Sequence, residues 1–131
     1  MTSAPSINVA IAVIQKNNCY LIAKRSPNTT FPNFWEFPGG KLLPNETPEK
    51  CVIREVFEEI SVFVAIECPY PIIRHSYIDQ EIVLHPFLCR LVAGTPQSPQ
   101  EIRWVSAREL SSFTFPEASR SLLKTLAEGA G

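Results

Sequence analysis

The sequence predicts an α/β fold in which a mixed β-sheet lies between α-helices. Apolar runs bounded by turn residues indicate strands in the first 40 residues and again between residues 62 and 105. Two segments with helical spacing follow residues 47 and 115. The 131 residues, 45% of them hydrophobic, suit one core, and no repeat or linker divides them. We therefore expect a single domain over residues 1–131.

The N-terminal part is expected to form two strands and a long loop. We predict strands at about 7–15 and 19–24, joined by a turn at Lys16 to Asn18. A loop then runs from 26 to 33, because Pro27, Asn28 and Pro32 interrupt regular structure. After the apolar run that ends at Phe37, Gly40 is expected in a loop where main-chain carbonyls can approach a metal ion.

Residues 48–60 are predicted to form the first helix. Thr47 is a suitable N-cap, and Pro48 a suitable first helical residue because it lacks the N–H that would be unpaired there. Helical spacing places five side chains on one apolar arc: Val52, Ile53, Val56, Phe57 and Ile60. Three carboxylates share the adjacent arc with Cys51: Glu55, Glu58 and Glu59.

These carboxylates indicate a cation site. Like charges three and four residues apart destabilise a helix by about 0.2–0.5 kcal/mol per pair. Neither Lys50 nor Arg54 is expected to point into this flank, so a bound cation would remove the repulsion. Carboxylate oxygens suit Mg²⁺, with Mn²⁺ as an alternative, and such ions usually share their ligands with substrate phosphates. The alternative for an isolated acidic run is a solvated helix face.

The second half is predicted to hold three strands, near 62–67, 71–78 and 81–91, with a hairpin turn at Asp79 and Gln80. A loop at 94–99 precedes a strand from Glu101 to Val105 and a helical turn at 107–110. An amphipathic helix is expected from Pro116 to about Ala127.

Composition excludes several classes of function. The net charge of −1 without a Lys/Arg run gives no footprint for a stable nucleic-acid complex or an anionic membrane. No apolar run reaches membrane-spanning length, and we identify no secretion signal. The four cysteines have no metal-binding or redox spacing. We expect a cytoplasmic protein that is a monomer or a small homo-oligomer.

One spaced motif carries a resemblance to a known family. Gly40 is followed after five residues by Glu46 and, seven residues later, by the run Arg-Glu-Val-Phe-Glu-Glu-Ile-Ser-Val from Arg54. This resembles the signature box of the Nudix hydrolases. The flanking WEFPGGK at Trp35 to Lys41 and the AKR at Ala23 to Arg25 are similar to the MutT branch, which hydrolyses nucleoside triphosphates.

The resemblance implies the Nudix fold and metal-assisted hydrolysis to a nucleoside monophosphate and pyrophosphate. It implies four metal ligands: the Gly40 carbonyl, Glu55, Glu58 and Glu59. Glu55 or Glu58 would also act as the base, and the sequence does not separate them. Glu46 and Arg54 complete the catalytic candidates as a pair that orients the glutamates. The alternative for that pair is a surface ion pair.

The substrate-binding candidates implied by the resemblance are Lys24, Arg25, Phe37 and Ser119. Arg25 matches a basic position that reaches the nucleotide, and its fixed fork suits phosphate. A solvated strand end is the alternative for this residue. Four aromatic side chains are further candidates for stacking on a base, although such residues are more often core: Phe31, Phe34, Trp35 and Tyr77.

Three serines depart from the pattern of the family. Ser61 replaces the usual glycine at the helix C-terminus, where a positive φ is easiest. Ser98 stands where MutT-like chains commonly have another metal-binding glutamate, a role left open to Gln100 or Glu101. Ser119 stands where oxidised-guanine enzymes have an asparagine that reads the base and cytosine-type relatives have an aspartate.

The leading expectation is hydrolysis of oxidised purine nucleotides such as 8-oxo-dGTP. A CTP/dCTP-type or broad nucleoside triphosphate pyrophosphohydrolase is the alternative, and Ser119 divides the two. A different class of function is a Nudix-fold module that binds a nucleotide without hydrolysis. His75 and His85 have no triad motif around them, so serine- or cysteine-type catalysis is not supported.

Overall fold

The computed structural model describes residues 5–129 and contains eight strands and two α-helices within that range. The elements are β1 (Ser6–Lys16), β2 (Cys19–Lys24), β3 (Trp35–Glu36), β4 (Gly39–Lys41), α1 (Pro48–Ile60), β5 (Phe63–Pro69), β6 (Ile73–Tyr77), β7 (Gln80–Ala93), β8 (Ile102–Ser106) and α2 (Arg120–Glu128). Short 3₁₀ turns span Glu109–Ser112 and Glu117–Ser119. The predictions for β1, β2 and α1 are confirmed to within one residue.

The strands form one mixed sheet in the order β3-β2-β1-β7-β5. At its centre β1 runs parallel to β7, from Ser6 opposite Glu81 to Ile14 opposite Cys89. On its other edge β1 pairs antiparallel with β4 near residue 10 and with β2 at its end. The remaining strands, β6 and β8, pair with β7 and β2. The expected mixed sheet is confirmed.

The sheet has an apolar core on each face, because successive side chains of a strand point to opposite sides. On β1, Ala12 and Ile14 belong to the core under α1, whereas Ile11 and Val13 belong to the core under α2. Helix α2 contributes Leu122 and Leu126 to the second core. The predicted arrangement of a sheet between helices is therefore confirmed.

Helix α1 begins and ends as predicted. The Thr47 hydroxyl accepts a hydrogen bond from the Lys50 N–H at 3.2 Å, and Pro48 is the first helical residue. At the other end Ser61 has the left-handed conformation, with φ of +63° and ψ of +31°, and its N–H donates to the Phe57 carbonyl at 2.9 Å. The serine thus occupies a backbone position that favours glycine.

The predicted apolar arc of α1 is only partly correct. Val52, Val56 and Ile60 are fully buried, but Ile53 is 39% exposed and Phe57 is 46% exposed. The buried arc is centred nearer to Cys51, which is also fully buried, so the two larger side chains lie beyond its far edge. Helix α1 is therefore rotated about its axis relative to the prediction, and the flank that carries the acidic residues faces partly toward the sheet.

The glycine segment is a strand rather than the expected loop. Gly39 and Gly40 belong to β4 and pair with Ile11 and Ala10 of β1. Gly39 has a φ of +156°, and a Cβ at this residue would overlap the backbone of Ala10. Close pairing of this kind requires glycine. The two glycines therefore fix their segment against the centre of the sheet.

Smaller differences concern the C-terminal half. Tyr77 pairs with Gln80, so the β6–β7 hairpin turns at Ile78 and Asp79, one residue earlier than predicted. The expected helix from Pro116 is divided into the 3₁₀ turn and α2, and the turn expected at 107–110 begins at Glu109. Within residues 5–129 no helix has the length and apolarity that crossing a membrane requires.

Candidate active site

Arg54 is the central side chain of the acidic flank of α1. Its Nη1 donates hydrogen bonds to Glu55 Oε1 at 2.8 Å and to Glu58 Oε2 at 3.0 Å. The prediction that Arg54 points away from the carboxylates is therefore wrong. The long arginine side chain spans one turn of the helix, so it reaches both carboxylates from its own flank. Arg54 thus offsets part of the repulsion between Glu55 and Glu58 within the protein.

Glu46 holds the opposite side of the same guanidinium. Its Oε2 accepts from Arg54 Nε at 2.7 Å and its Oε1 from Nη2 at 2.9 Å. Oε1 also accepts from the Leu43 N–H at 2.9 Å. The hydrogen bonds from Arg54, together with the one from Leu43, lower the pKa of the Glu46 carboxyl to about 2. Glu46 is therefore ionised at neutral pH and anchors the arginine to the loop before α1.

Gly40 lies directly against the Glu55 carboxylate. A Cβ built at Gly40 would overlap the carboxyl carbon of Glu55 and would lie 2.9 Å from its Oε1. The Gly40 carbonyl accepts a hydrogen bond from the Cys51 thiol at 3.4 Å. Burial, followed by the charge of Glu46, raises the pKa of Cys51 to about 11, so the thiol remains a donor. Strand β4 and helix α1 thus meet so closely that a side chain at residue 40 would displace the Glu55 carboxylate.

Glu59 lies in a more enclosed environment than Glu58. Burial, together with the neighbouring charges of Glu36 and Glu55, raises the pKa of Glu59 to about 8, although the Gly39 N–H and Arg25 act in the opposite direction. Burial also raises the pKa of Glu36, against its ion pair with Arg25. Several carboxylates therefore face each other where α1 approaches β3 and β4.

The donor set fits a hard divalent cation. Glu55, Glu58 and Glu59 supply carboxylate oxygens, and the missing side chain at Gly40 lets the Glu55 carboxylate lie against β4. Within residues 5–129 no three acidic, histidine or cysteine side chains converge on one point as they stand. Two of the glutamates, Glu55 and Glu58, instead accept hydrogen bonds from Arg54. The assignment of these metal ligands remains a prediction.

A cavity of about 540 Å³ adjoins β4. Its walls include Gly40 and three of the four predicted substrate-binding residues: Arg25, Phe37 and Ser119. Tyr77 and Phe31 also line it, with ring centroids 5.5 Å apart. An apolar cleft with a few polar groups is typical of a small-molecule site. We call it the large cavity.

The predicted substrate residues contribute differently to this cavity. Phe37 is almost completely buried and packs against Phe115, so it forms the floor. Ser119 precedes α2 and its side chain makes no capping hydrogen bond. Among the stacking candidates, Trp35 is a core residue packed edge-on against Phe113, whereas Phe31 and Tyr77 stand at the cavity wall.

Lys24 lies in a second cleft of about 310 Å³ rather than in the large cavity. Glu58, Glu59, Ser98 and Gln100 line the same cleft. We call it the acidic cleft. The serine that replaces the expected glutamate is thus near the acidic helix, although its hydroxyl accepts a hydrogen bond from the Gln100 N–H. Glu101 instead pairs with Arg103 at 2.6 Å.

Glu36 is a site residue that sequence reasoning missed. Together with Arg25 it lines both the large cavity and the acidic cleft, and Arg25 Nη1 donates to its Oε1 at 2.6 Å. Its place in the WEFPGGK segment was a usable signal, because a carboxylate between buried aromatic residues needs a partner. Sequence periodicity gave no indication that the partner would be Arg25.

The chain is similar to known proteins over most of its length. Residues 9–125 match the NUDIX domain. The 8-oxo-dGTP diphosphatase of Proteus vulgaris is 39% identical over 89 residues, which are 67% of this chain and 80% of that protein. The CTP pyrophosphohydrolase of Escherichia coli (strain K12) is 27% identical over 121 residues, covering 90% of this chain and 89% of that protein.

Among solved structures, the crystal structure of the MutT protein from Methanosarcina mazei Go1 matches with a TM-score of 0.85. The match covers 98% of each chain at 24% sequence identity, so it concerns the fold. The fold expected from the sequence resemblance is therefore confirmed.

Proposed function

The chain belongs to the NUDIX domain family, and on that premise we propose that it is a Mg²⁺-dependent pyrophosphohydrolase of oxidised purine nucleoside triphosphates such as 8-oxo-dGTP. It is a Nudix hydrolase, and the cleavage of nucleoside triphosphates is the activity common to the relatives described above. The observation that carries the proposal is the contact between Gly40 and Glu55, flanked by Arg54 and Glu58.

The two cavities suit different parts of a nucleoside triphosphate. The large cavity offers an apolar space with Ser119 and two aromatic rings on its wall, which suits a nucleobase. The acidic cleft brings Lys24 and Arg25 next to Glu58 and Glu59, which suits a phosphate chain bound with a cation. We infer that the nucleotide extends from the large cavity into the acidic cleft and passes Arg25, which lines both.

The residues of the chain then have separate roles in the reaction. Glu46 and Arg54 orient Glu55 and Glu58 through the hydrogen bonds described above. Glu55 or Glu58 accepts the proton of the attacking water. Arg25 binds a phosphate oxygen through its guanidinium, and the apolar walls of the large cavity exclude water around the base. A bound divalent cation would lower the pKa of that water and polarise the phosphoryl oxygens.

A second substrate class is favoured by one observation. Ser119 replaces the asparagine expected in an oxidised-guanine enzyme, and one of the relatives is a CTP pyrophosphohydrolase. The serine hydroxyl can donate or accept a hydrogen bond and therefore does not by itself select guanine. A CTP/dCTP-type or broad specificity is the alternative proposal. Both proposals are consistent with a cytoplasmic enzyme.

The test is a substrate panel with Mg²⁺. Release of pyrophosphate and of phosphate should be measured with 8-oxo-dGTP, the four standard deoxynucleoside triphosphates, CTP and a nucleotide sugar. A kcat/KM for 8-oxo-dGTP far above that for dGTP supports the leading proposal. Preference for dCTP or CTP, or a flat profile, supports the alternative.

A variant that loses catalytic activity but keeps the fold should be measured with the same substrates. Glu58→Gln should lower kcat by about 10²-fold or more with the preferred substrate. Its side chain is half-exposed, so the substitution should leave the melting temperature almost unchanged. Hydrolysis at the wild-type rate by this variant would contradict the site assignment. Absence of hydrolysis by the wild-type protein with every substrate would indicate a binding module.

A further inference from the structure

We propose that Glu36 is a positioning residue, which holds Arg25 at the boundary of the two cavities in the orientation that binds a nucleotide phosphate. The inference rests on the function proposed above and adds a residue to it. Glu36 belongs to the two-residue strand β3, whose backbone pairs with β2, so its side chain is presented from a fixed point of the sheet.

Two hydrogen bonds fix the Arg25 guanidinium. Nη1 donates to Glu36 Oε1 at 2.6 Å, and Nε donates to the Thr30 carbonyl at 2.9 Å. Among residues 5–129 no acceptor is hydrogen-bonded to Nη2. An arginine held at two of its nitrogens has lost most of its rotamer freedom before a ligand arrives. Because Arg25 lines both cavities, its third nitrogen can then bind a ligand with little entropic cost.

The position of Glu36 also explains why a carboxylate is needed there. Glu36 and Arg25 both line the large cavity and the acidic cleft, and Glu58 and Glu59 line that cleft as well. An arginine released from Glu36 would therefore have other carboxylates to pair with. Pairing with those side chains would withdraw Arg25 from the nucleotide and occupy the glutamates at the same time.

The experiment is a double-mutant cycle on nucleotide binding. The ligand is α,β-methylene-dGTP, an analogue that should bind without turnover, in the presence of Mg²⁺. Calorimetric titration should compare the wild type with Arg25→Ala, Glu36→Ala and the double variant. KM and kcat with the preferred substrate give a second readout. We expect Glu36→Ala to weaken binding and raise KM by about tenfold, as loss of one charge-assisted contact would. Its kcat should change by less than about threefold.

The double variant distinguishes positioning from an independent role. If Glu36 acts through Arg25, the double variant should bind no more weakly than Arg25→Ala alone. Glu36→Gln keeps a hydrogen-bond acceptor for Nη1, so its affinity should lie between that of the wild type and that of Glu36→Ala. It also replaces Glu36→Ala in the cycle if that variant does not fold.

The control is an ion pair outside both cavities. Glu67 pairs with Arg90 at 3.8 Å, and Glu67→Gln should leave Kd, KM and kcat unchanged. Additive losses in the double variant, or a lower kcat at unchanged KM, would overturn the positioning role. Unchanged binding by the Glu36 variants would overturn it too. A wild-type protein that binds and hydrolyses no nucleotide would instead overturn the proposed function.

Discussion

Arg54 and Glu46 are joined by two parallel hydrogen bonds, from Nε to Oε2 at 2.7 Å and from Nη2 to Oε1 at 2.9 Å. Only a planar guanidinium can make this two-point contact with a carboxylate. The remaining nitrogen, Nη1, is thereby directed at Glu55 and Glu58. Arg54 thus connects the loop before α1 to two glutamates of the helix and fixes their orientation.

Replacement of Arg54 by lysine tests whether Glu55 and Glu58 depend on the two-point contact with Glu46. Lysine keeps the charge but cannot bind Glu46 at two points while contacting Glu55 and Glu58. We expect Arg54→Lys to lower kcat by about 10–100-fold, the usual effect of losing a residue that orients catalytic ligands. Pyrophosphate release at saturating substrate measures this. Arg90→Lys, which alters a more distant ion pair, is the control, and a kcat within twofold of wild type would contradict the role.

Gly40→Ala should displace the Glu55 carboxylate. The added Cβ would overlap the end of that side chain, which is flexible enough to move aside. We therefore expect a loss of kcat of about 10²-fold with a decrease in stability of less than about 1 kcal/mol. Turnover and thermal unfolding measure the two effects.

Gly129→Ala is the matched control for Gly40→Ala, because a Cβ there meets no atom closer than 3.6 Å. This variant should keep the activity of the wild type. If Gly40→Ala retained full turnover as well, the close approach of β4 to Glu55 would have no catalytic significance.

The pairing of Glu46 should make stability depend on pH in the acid range. Arg54, together with the Leu43 N–H, lowers the pKa of this carboxyl to about 2 from its ordinary value of 4.5. The unfolded chain then binds more protons than the folded one, so stability rises with pH in this window. The contribution is fully present above pH 4.5 and is lost as the pH falls through 2.

Denaturant unfolding of the wild type and of Glu46→Gln checks this dependence. The difference between their free energies of unfolding should shrink as the pH is lowered from about 6 to about 3, since glutamine does not titrate. A difference that stays constant over this range would show that the carboxylate is not ionised preferentially in the folded state.

Ser61→Gly should stabilise the protein without changing its activity. Ser61 has a φ of +63°, which costs an ordinary L-residue about 1–2 kcal/mol, and only part of this is offset by the greater freedom of glycine in the unfolded chain. We expect a gain of about 0.5–1 kcal/mol. Asn33→Gly is the control, because asparagine tolerates its φ of +65° and should gain much less. Equal gains would contradict strain at Ser61.

Ser119→Asn should change the choice of base. The side chain at this position lines the large cavity and makes no hydrogen bond to cap α2, so a longer amide can reach a bound base. We expect the ratio of kcat/KM for 8-oxo-dGTP over dGTP to rise by about tenfold or more. Ser111→Asn, at a surface 3₁₀ turn, is the control. An unchanged ratio would show that the base is read elsewhere.

Local signals predicted α1 well because its start and its apolar stripe depend on neighbouring residues. Thr47, Pro48 and Val52 act over a few positions, and the helix bounds follow from them. The direction of Arg54 depended instead on Glu46, which approaches from a loop outside the helix. Nothing in helical periodicity reveals a partner of that kind.

The strand of Gly39 and Gly40 was missed for a similar reason. A three-residue strand of this composition has no alternating pattern, and its pairing with β1 is a tertiary contact. The pair of Arg25 and Glu36 likewise joins two strands through a contact that no spacing in the chain indicates. The box motif identified the chemistry, whereas these long-range pairs determine where the substrate-binding residues stand.

The parallel pairing of β1 with β7 has a consequence for how the chain folds. Ser6 of β1 and Glu81 of β7 are 75 residues apart in sequence, yet the strands form the centre of the sheet. During synthesis β1 has no partner on that edge until β7 has also been made. Closing so long a loop is entropically costly before any contact compensates for it, so folding should be slow for a domain of this size. Until then the apolar β1 is a segment that a chaperone would recognise.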